Sequence, residues 1–293
     1  MKDPEWVRFG LAVFRKNIGQ HEKALAIFLS ILETAPDHAV CHLNVGSILR
    51  AQGDLPAAEK HLFRAFELEP VEVQAQFELG VLFVDQGCFD EAKIKLEKVL
   101  LIEPDNRSVN FPLGRCLLAL GQREEAELKF LKEVKNKPQN KWAYLELGFL
   151  QRVRGNKDKA LMYTKKALKL DPLDANAHLQ MAVIYREMNA PDDVKLHLDE
   201  ALRLNFKSVV LYNEFGQFYQ SAGDLQAAID NYLQAAEMNP GHGSTYYHLG
   251  VVYFEMGDYI AAEQNFKKNL ELVPGAKGLD YYFKQIASLL AAV

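Results

Sequence analysis

Cysteine is scarce in this chain: three in 293 residues, Cys41, Cys88 and Cys116, an odd number with no CxxC pair. That excludes a disulfide framework and a thiolate zinc knuckle, and points to free thiols in a reducing compartment. No run of eighteen apolar residues occurs, so no membrane-spanning helix is expected. Neither is there an excess of positive charge, since 34 Lys and Arg stand against 39 Asp and Glu, a net charge of −5. A phosphate backbone needs a concentrated basic face, so nucleic acid is not an expected partner. The strings HExxH, GxxxxGK[ST] and GxSxG are all missing, and with them the commonest signatures of zinc peptidases, nucleotide-binding loops and serine hydrolases. The opening residues Met1-Lys2-Asp3-Pro4-Glu5 do not form a secretory leader; Asp3 as N-cap and Pro4 at the first helical position start a helix at once, and a cytoplasmic location is expected.

What the chain has is a period of thirty-four residues held through eight copies, 5–38, 39–72, 73–106, 107–140, 141–174, 175–208, 209–242 and 243–276. Positions below are numbered 1 to 34 within a copy. Position 8 is Ala12, Gly46, Gly80, Gly114, Gly148, Ala182, Gly216 and Gly250; position 15 is glycine in seven copies and Asn189 in the other; position 20 is alanine except for Val194. In the third copy Gln76, Leu79, Gly80 and Phe83 follow helical spacing, and after Gly87 the set Phe89, Ala92, Leu96, Val99 and Ile102 resumes it until Pro104. Glycine inside a helix costs about 1 kcal/mol relative to alanine. Its recurrence at position 8 therefore predicts close approach of the paired helix, with the small residue of position 20 opposite. Glycine or asparagine at position 15 marks a left-handed turn between two helices, and proline at position 32 in seven copies ends the second helix.

A fixed period of this length marks a solenoid, and these features together resemble the tetratricopeptide repeat family over residues 5–276. The resemblance implies an all-α fold, a right-handed superhelical solenoid of helix-turn-helix repeats, whose concave wall is lined by the first helix of each pair. It also implies a protein that binds peptides or proteins in that groove and has no chemistry of its own. Residues 277–293 keep a helical apolar face (Leu279, Tyr282, Phe283, Ile286, Leu289, Leu290, Val293) and are expected to form a helix capping the last repeat.

By the family's geometry, positions 2, 5, 6, 9, 12 and 13 face the groove. They supply an apolar stripe of Phe9, Phe77, Val81, Phe111, Trp142, Leu145, Phe149 and Tyr247, more apolar than internal packing alone requires. Lys16, Arg50, Arg152 and Arg186 at position 12 and Arg115 at position 9 border it, against Glu78, Glu146, Glu214, Asp85, Glu187 and Glu255. Five basic and six acidic residues leave the wall nearly neutral. The arginines either orient a partner's carboxylate or pair with neighbouring glutamates. Family members that grip a terminal carboxylate carry lysine at position 5 and asparagine at position 9; the nearest match, Asn213 with Gln217, lacks the cation. The asparagine ladder of the nutrient-sensing sugar transferases is represented only by Asn44. Both specialised grooves are disfavoured.

Among the histidines, His38 and His42 flank Cys41 at i, i+3, i+4, a spacing that suits metal ligands, but position 3 is a small packing position elsewhere, so Cys41 is expected to face the core. His242, between two glycines, reads as a solvated turn residue. No cofactor, metal or catalytic residue is assigned. The pattern breaks twice. Copy six carries Asn189, Pro191, Val194 and Phe206, and copy four carries Pro112 and Glu133; a wider helix pair and local hinges are expected there. The function these residues favour is an adaptor or scaffold holding a partner's extended or helical segment. Two other readings are end-to-end self-assembly through the terminal helix, and a non-catalytic arm recruiting substrates to a larger enzyme.

Overall fold

A computed structural model describes residues 4–291, and every regular element among them is helical. Two compact units divide the chain, residues 1–143 and 144–293. The first holds α1 (Glu5–Asn17), α2 (His21–Leu32), α3 (Ala39–Gln52), α4 (Leu55–Leu68), α5 (Val73–Gln86), α6 (Phe89–Ile102), α7 (Asn110–Ala119) and α8 (Arg123–Asn136). The division falls inside α9 (Lys141–Val153). The second unit continues with α10 (Lys157–Leu170), α11 (Ala175–Glu187), α12 (Pro191–Arg203), α13 (Val209–Ser221), α14 (Leu225–Met238), α15 (Gly243–Met256), α16 (Tyr259–Leu272) and α17 (Leu279–Leu290). No helix of the described residues is long and apolar enough to cross a membrane.

The turn at position 15 forms as its chemistry demands. Gly19, Gly53, Gly87, Gly121, Gly155, Gly223 and Gly257 all have φ near +80°, and Asn189 has φ +56°. Asparagine enters that region more readily than other side chains because its short amide bonds locally to the backbone.

Position 8 works differently from the expectation. A Cβ on Gly46 would stand 2.6 Å from Leu62, one on Gly114 2.6 Å from Phe130 and one on Gly250 2.5 Å from Phe266. The residue opposite is therefore position 24, a large side chain lying across the glycine except in copy five, where it is Thr164. Position 20 contributes only its backbone, as with the Ala58 carbonyl at 3.2 Å from that Gly46 Cβ. The glycine penalty is offset by burial of the ring or leucine it admits, about 1.5–3 kcal/mol each.

Packing from one hairpin to the next repeats one rule. Ala24, Phe28 and Ile31 (positions 20, 24 and 27) bury against Cys41, Val45 and Ile48 (positions 3, 7 and 10 of the following copy). Ala58 and Leu62 meet Leu79 and Leu82 in the same way, and Ala228 and Tyr232 meet Leu249 and Val252. Ala262 and Phe266 meet Leu279 and Ile286, which makes α17 a ninth first helix.

Three details qualify the sequence expectation. Pro4 is the N-cap of α1 rather than its first residue, while Asp3 and Val293 lie outside the described residues. Pro112 loses no hydrogen bond, because a short 3-10 turn over Arg107–Val109 delays α7 to Asn110 and leaves the proline in the first turn. The sixth second helix stops without a proline. Before proline the backbone is held extended, as at Glu69 (φ −134°, ψ 77°) and Asp171 (φ −141°, ψ 95°). With Phe206 in that place the restriction lifts, Asn205 turns left-handed at φ +57°, and α12 ends at Arg203. The Phe206 N–H then donates to the Ala201 carbonyl at 3.2 Å, and its ring packs beside Leu179 and Leu198.

Candidate functional site

Consecutive first helices face one another along the side that carries positions 6, 9, 12 and 13, and polar rungs cross between them. Lys16 Nζ donates to Asn44 Oδ1 at 2.9 Å, and burial pushes its pKa down. Arg50 reaches Asp85 at 2.9 Å and Glu78 at 3.3 Å. Arg152 holds Glu187 at 2.8 Å, Arg186 makes a two-pronged bond to Glu214 at 2.7 and 3.2 Å, and Gln220 donates to Glu255 at 3.0 Å. Each rung joins position 12 of one copy to position 6 or 13 of the next. Arg50, Arg152 and Arg186 are thus committed to neighbouring carboxylates, the second of the two roles open to them in the sequence. Position 12 of copies three and four is Val84 and Leu118, so neither supplies a polar rung.

Arg115 is the exception among the wall arginines. Its side chain is 44% exposed and its partner, Asp85, is 4.0 Å away and already holds Arg50. Beside it Phe77, Val81 and Phe111 are half-buried. The Phe111 ring rests on Phe130 with centroids 5.9 Å apart, and its free edge borders an open cleft of about 570 Å³ together with Pro112, Lys137 and Pro138. Glu133 forms part of the same cleft. It is buried, accepts from Asn140 Nδ2 at 2.9 Å, and leaves its second carboxylate oxygen without a partner. Trp142 is 48% exposed with Lys141 Nζ over its ring at 4.2 Å.

The remaining predicted wall residues are spent on packing to differing degrees. Phe9 packs on Phe28 and stacks on His38 at 5.4 Å. Leu145 is only 4% exposed, seated against Ala167 and Ala177, so as a groove anchor it is withdrawn. Phe149 is half-buried and carries the Arg152 guanidinium at 5.6 Å. Tyr247 leans on Phe266 and on Tyr282 of α17. At the irregular sixth copy, Ala190, Pro191, Val194 and Phe218 border a cleft of about 360 Å³ with Arg186 at its lip.

The histidine and cysteine readings resolve by geometry. His38 Nδ1 caps α3 by accepting from the Cys41 N–H at 3.3 Å, His42 turns to His61 and the Pro36 carbonyl, and Cys41 is fully buried with its thiol pushed up to about 12. These three side chains diverge. Cys116 is likewise buried, pushed up to about 11, and Cys88 is exposed. His242 is not a solvated turn residue: its Nδ1 bonds the Thr245 hydroxyl at 2.8 Å, and Thr245 in turn ties down the buried Asn213 amide. That amide is therefore unavailable for a ligand carboxylate. Sequence reading offers pairing with neighbouring glutamates but does not say which carboxylate each arginine takes. The signal for that choice is charge complementarity between residues 28 or 35 apart, as in Arg186 with Glu214 and Arg152 with Glu187.

Family models described as tetratricopeptide repeat match residues 43–103, 77–141 and 208–274, together more than half of the chain. No curated protein matches the sequence. Among solved structures the chain is similar to one from the APC/C hetero-tetramer Cut9–Hcn1 (TM-score 0.75, 17% identity), covering 91% of this chain and 52% of that one, so it spans about half the length of that relative. It is also similar to a tetratricopeptide repeat protein from Parabacteroides merdae (TM-score 0.60, 17% identity, 85% and 98% covered) and to PilF of Pseudomonas aeruginosa (TM-score 0.61, 19% identity, 75% and 96% covered). At these identities the likeness concerns the fold.

Proposed function

This chain belongs to the tetratricopeptide repeat family, whose members serve as protein–protein interaction scaffolds, and from that premise we propose that it binds a segment of a partner protein through the first helices of copies three and four. Residues 5–276 act as eight repeats in this reading, with 277–293 as their cap. The observation that carries it is the contrast within the wall. Where position 12 is Arg152 or Arg186, a carboxylate of the next copy holds the guanidinium at 2.8 or 2.7 Å; where it is Val84 and Leu118 no such rung leaves the copy, and Phe77, Val81 and Phe111 stand half-buried near an Arg115 whose carboxylate partner is 4.0 Å away.

The chemistry that suits this stretch is a short segment with an aromatic or aliphatic side chain for the Phe111 cleft and an acidic group for Arg115. A guanidinium and a carboxylate form a two-pronged pair, and a buried apolar anchor supplies most of the affinity. Catalysis is not part of this role. A random peptide pool displayed on phage and selected on the protein tests it. Recovered peptides should bind about tenfold or more weakly to Phe111→Ala and Arg115→Glu, and equally well to Arg186→Gln. A pool that yields no binder, or binders indifferent to Phe111 and Arg115, counts against the reading.

A further inference from the structure

The outer face of α1 is a copy of an interface that the molecule fills at each later repeat. In the following copies the position 7 residues Val45, Leu79, Leu113, Met181 and Leu249 are at most 2% exposed. They are covered by the second helix of the preceding hairpin through its positions 20, 24 and 27, four and three residues apart, as in Ala24, Phe28 and Ile31; position 27 is most often alanine. In α1 the same side carries Leu11 (41% exposed) and Phe14 (60%), with Ile18 (50%) at the C-cap, one turn apart and in line with Val7. No described residue lies over them. Apolar side chains in register along one helix and open to water mark a contact surface rather than a solvated one.

The occupant follows from the internal copies. What fits over positions 3, 7 and 10 is an α-helix with one apolar face of the spacing small-x3-large-x2-apolar, the third residue an alanine or a larger aliphatic. A second copy of this chain has no such helix to offer. All eight second helices already bury their own small and large residues, from Ala24 and Phe28 to Ala262 and Phe266. We propose that the face formed by Val7, Leu11, Phe14 and Ile18 docks an amphipathic α-helix of a partner protein, set as a second helix would be set in a preceding repeat. This surface is separate from the Phe111 wall, and neither reading depends on the other.

The probe is a helix-stapled, fluorescein-labelled peptide reproducing residues 20–35, which carries Ala24, Phe28 and Ile31. It should bind saturably by anisotropy, and the same peptide with its Phe28 replaced by Asp should not. Phe14→Glu should weaken binding about tenfold or more, as expected for losing one buried aromatic contact; Phe14 is largely exposed, so this variant keeps the parent's helical melt. Leu11→Lys is the second variant and should act likewise, whereas Tyr281→Glu, on α17, should have no effect. Absence of saturable binding overturns the proposal. Equal binding by Phe14→Glu also overturns it. So does a dimer of the parent chain at high concentration that dissolves on Phe14→Glu, because the occupant would then be a second copy.

Discussion

The helices α1 and α17 hold the same place in the repeat and end differently. Each is a first helix, the first and the ninth of the series. In α17 the side that faces the preceding hairpin is filled: Leu279 and Ile286 are 2% exposed, against Ala262 and Phe266. Its other side, where a second helix would pack, carries the exposed Asp280, Lys284 and Ser288. Lys284 stands at position 8, where six copies have glycine. In α1 the situation is reversed. Ala12 at position 8 is buried under Phe28, and the side that would meet a preceding hairpin keeps Leu11, Phe14 and Ile18. The difference teaches how each face is specified. At α17 the unmatched face is mostly polar, as an unpaired solenoid face requires, with the large Tyr281 ring left open on it at 61% exposed; at α1 the corresponding change is missing, and the interior pattern persists.

Exchanging the residues at position 8 gives the sharpest break of that comparison. In Gly250→Lys the new side chain would enter the Phe266 ring and bring a charge into a buried site. Overpacking and the unpaired charge together should destabilise the last repeat by about 4 kcal/mol or more. The reciprocal change, Lys284→Gly, should cost only about 1 kcal/mol, the helix penalty of glycine in a solvated position. Thermal melts followed by circular dichroism measure both. Similar losses for the two would mean that α17 is not a solvated end.

A smaller effect separates the filled sides. Ile286→Ala should cost about 2–4 kcal/mol by leaving a cavity against Phe266, and hydrogen exchange should show α17 losing protection ahead of the other helices. Phe14→Ala in the isolated protein should change stability by no more than about 0.5 kcal/mol, since the ring buries little. If Phe14→Ala proved as costly as Ile286→Ala, the α1 face would already be covered, and the docking surface inferred from it would go.

How far these features can be read from sequence depends on whether one residue or a neighbour decides them. Position 15 was legible because only glycine or asparagine turns left-handed at low cost, and each copy states that requirement on its own. Position 8 is legible as close approach, but its partner is not: periodicity puts Ala58 and Leu62 on one face alike, and only the packed fold shows which side chain lies over Gly46. Phe206 could be read as a missing stop but not as permission for Asn205 to supply another. In the candidate wall, identity at position 5 does not reveal exposure. Leu145 is short enough to settle against Ala167 and Ala177, while the larger ring of Phe111 overruns its hairpin and keeps an edge free. In sequence order the charges read as a ring along the wall. Their pairing depends on the offset between copies, which turns a neutral border into discrete rungs.

Acid should distinguish the two ends by the smallest margin. His248, in the copy beneath α17, stacks on Tyr232 with centroids 5.4 Å apart and meets Tyr247 edge-on. Burial first, then the charges of Arg186 and His242, hold its pKa below the ordinary histidine value. The same direction holds for His61 and His197. Each shares one proton with a neighbour, His42 and His178, across Nδ1 atoms 2.9 Å apart, and each is lowered first by burial and then by that neighbour; Lys60 and Lys165 add to it, while Asp193 and Glu200 oppose it at His197. In the His42–His61 pair the His42 Nε2–H donates to the Pro36 carbonyl at 2.8 Å, so its Nδ1 accepts from the His61 Nδ1–H. A folded-state pKa below the unfolded value of about 6.5 means that the stabilisation is complete above that pH and is lost as pH falls through the lowered value. Hydrogen exchange compared at neutral pH and below 6.5 should therefore show copies two, six and eight, and with copy eight the seat of α17, losing protection in acid, while α1 and α2 hold theirs. His248→Gln should flatten the response at α17 alone. An acid response equally strong in α1 would show that the loosening is global and does not originate at these imidazoles.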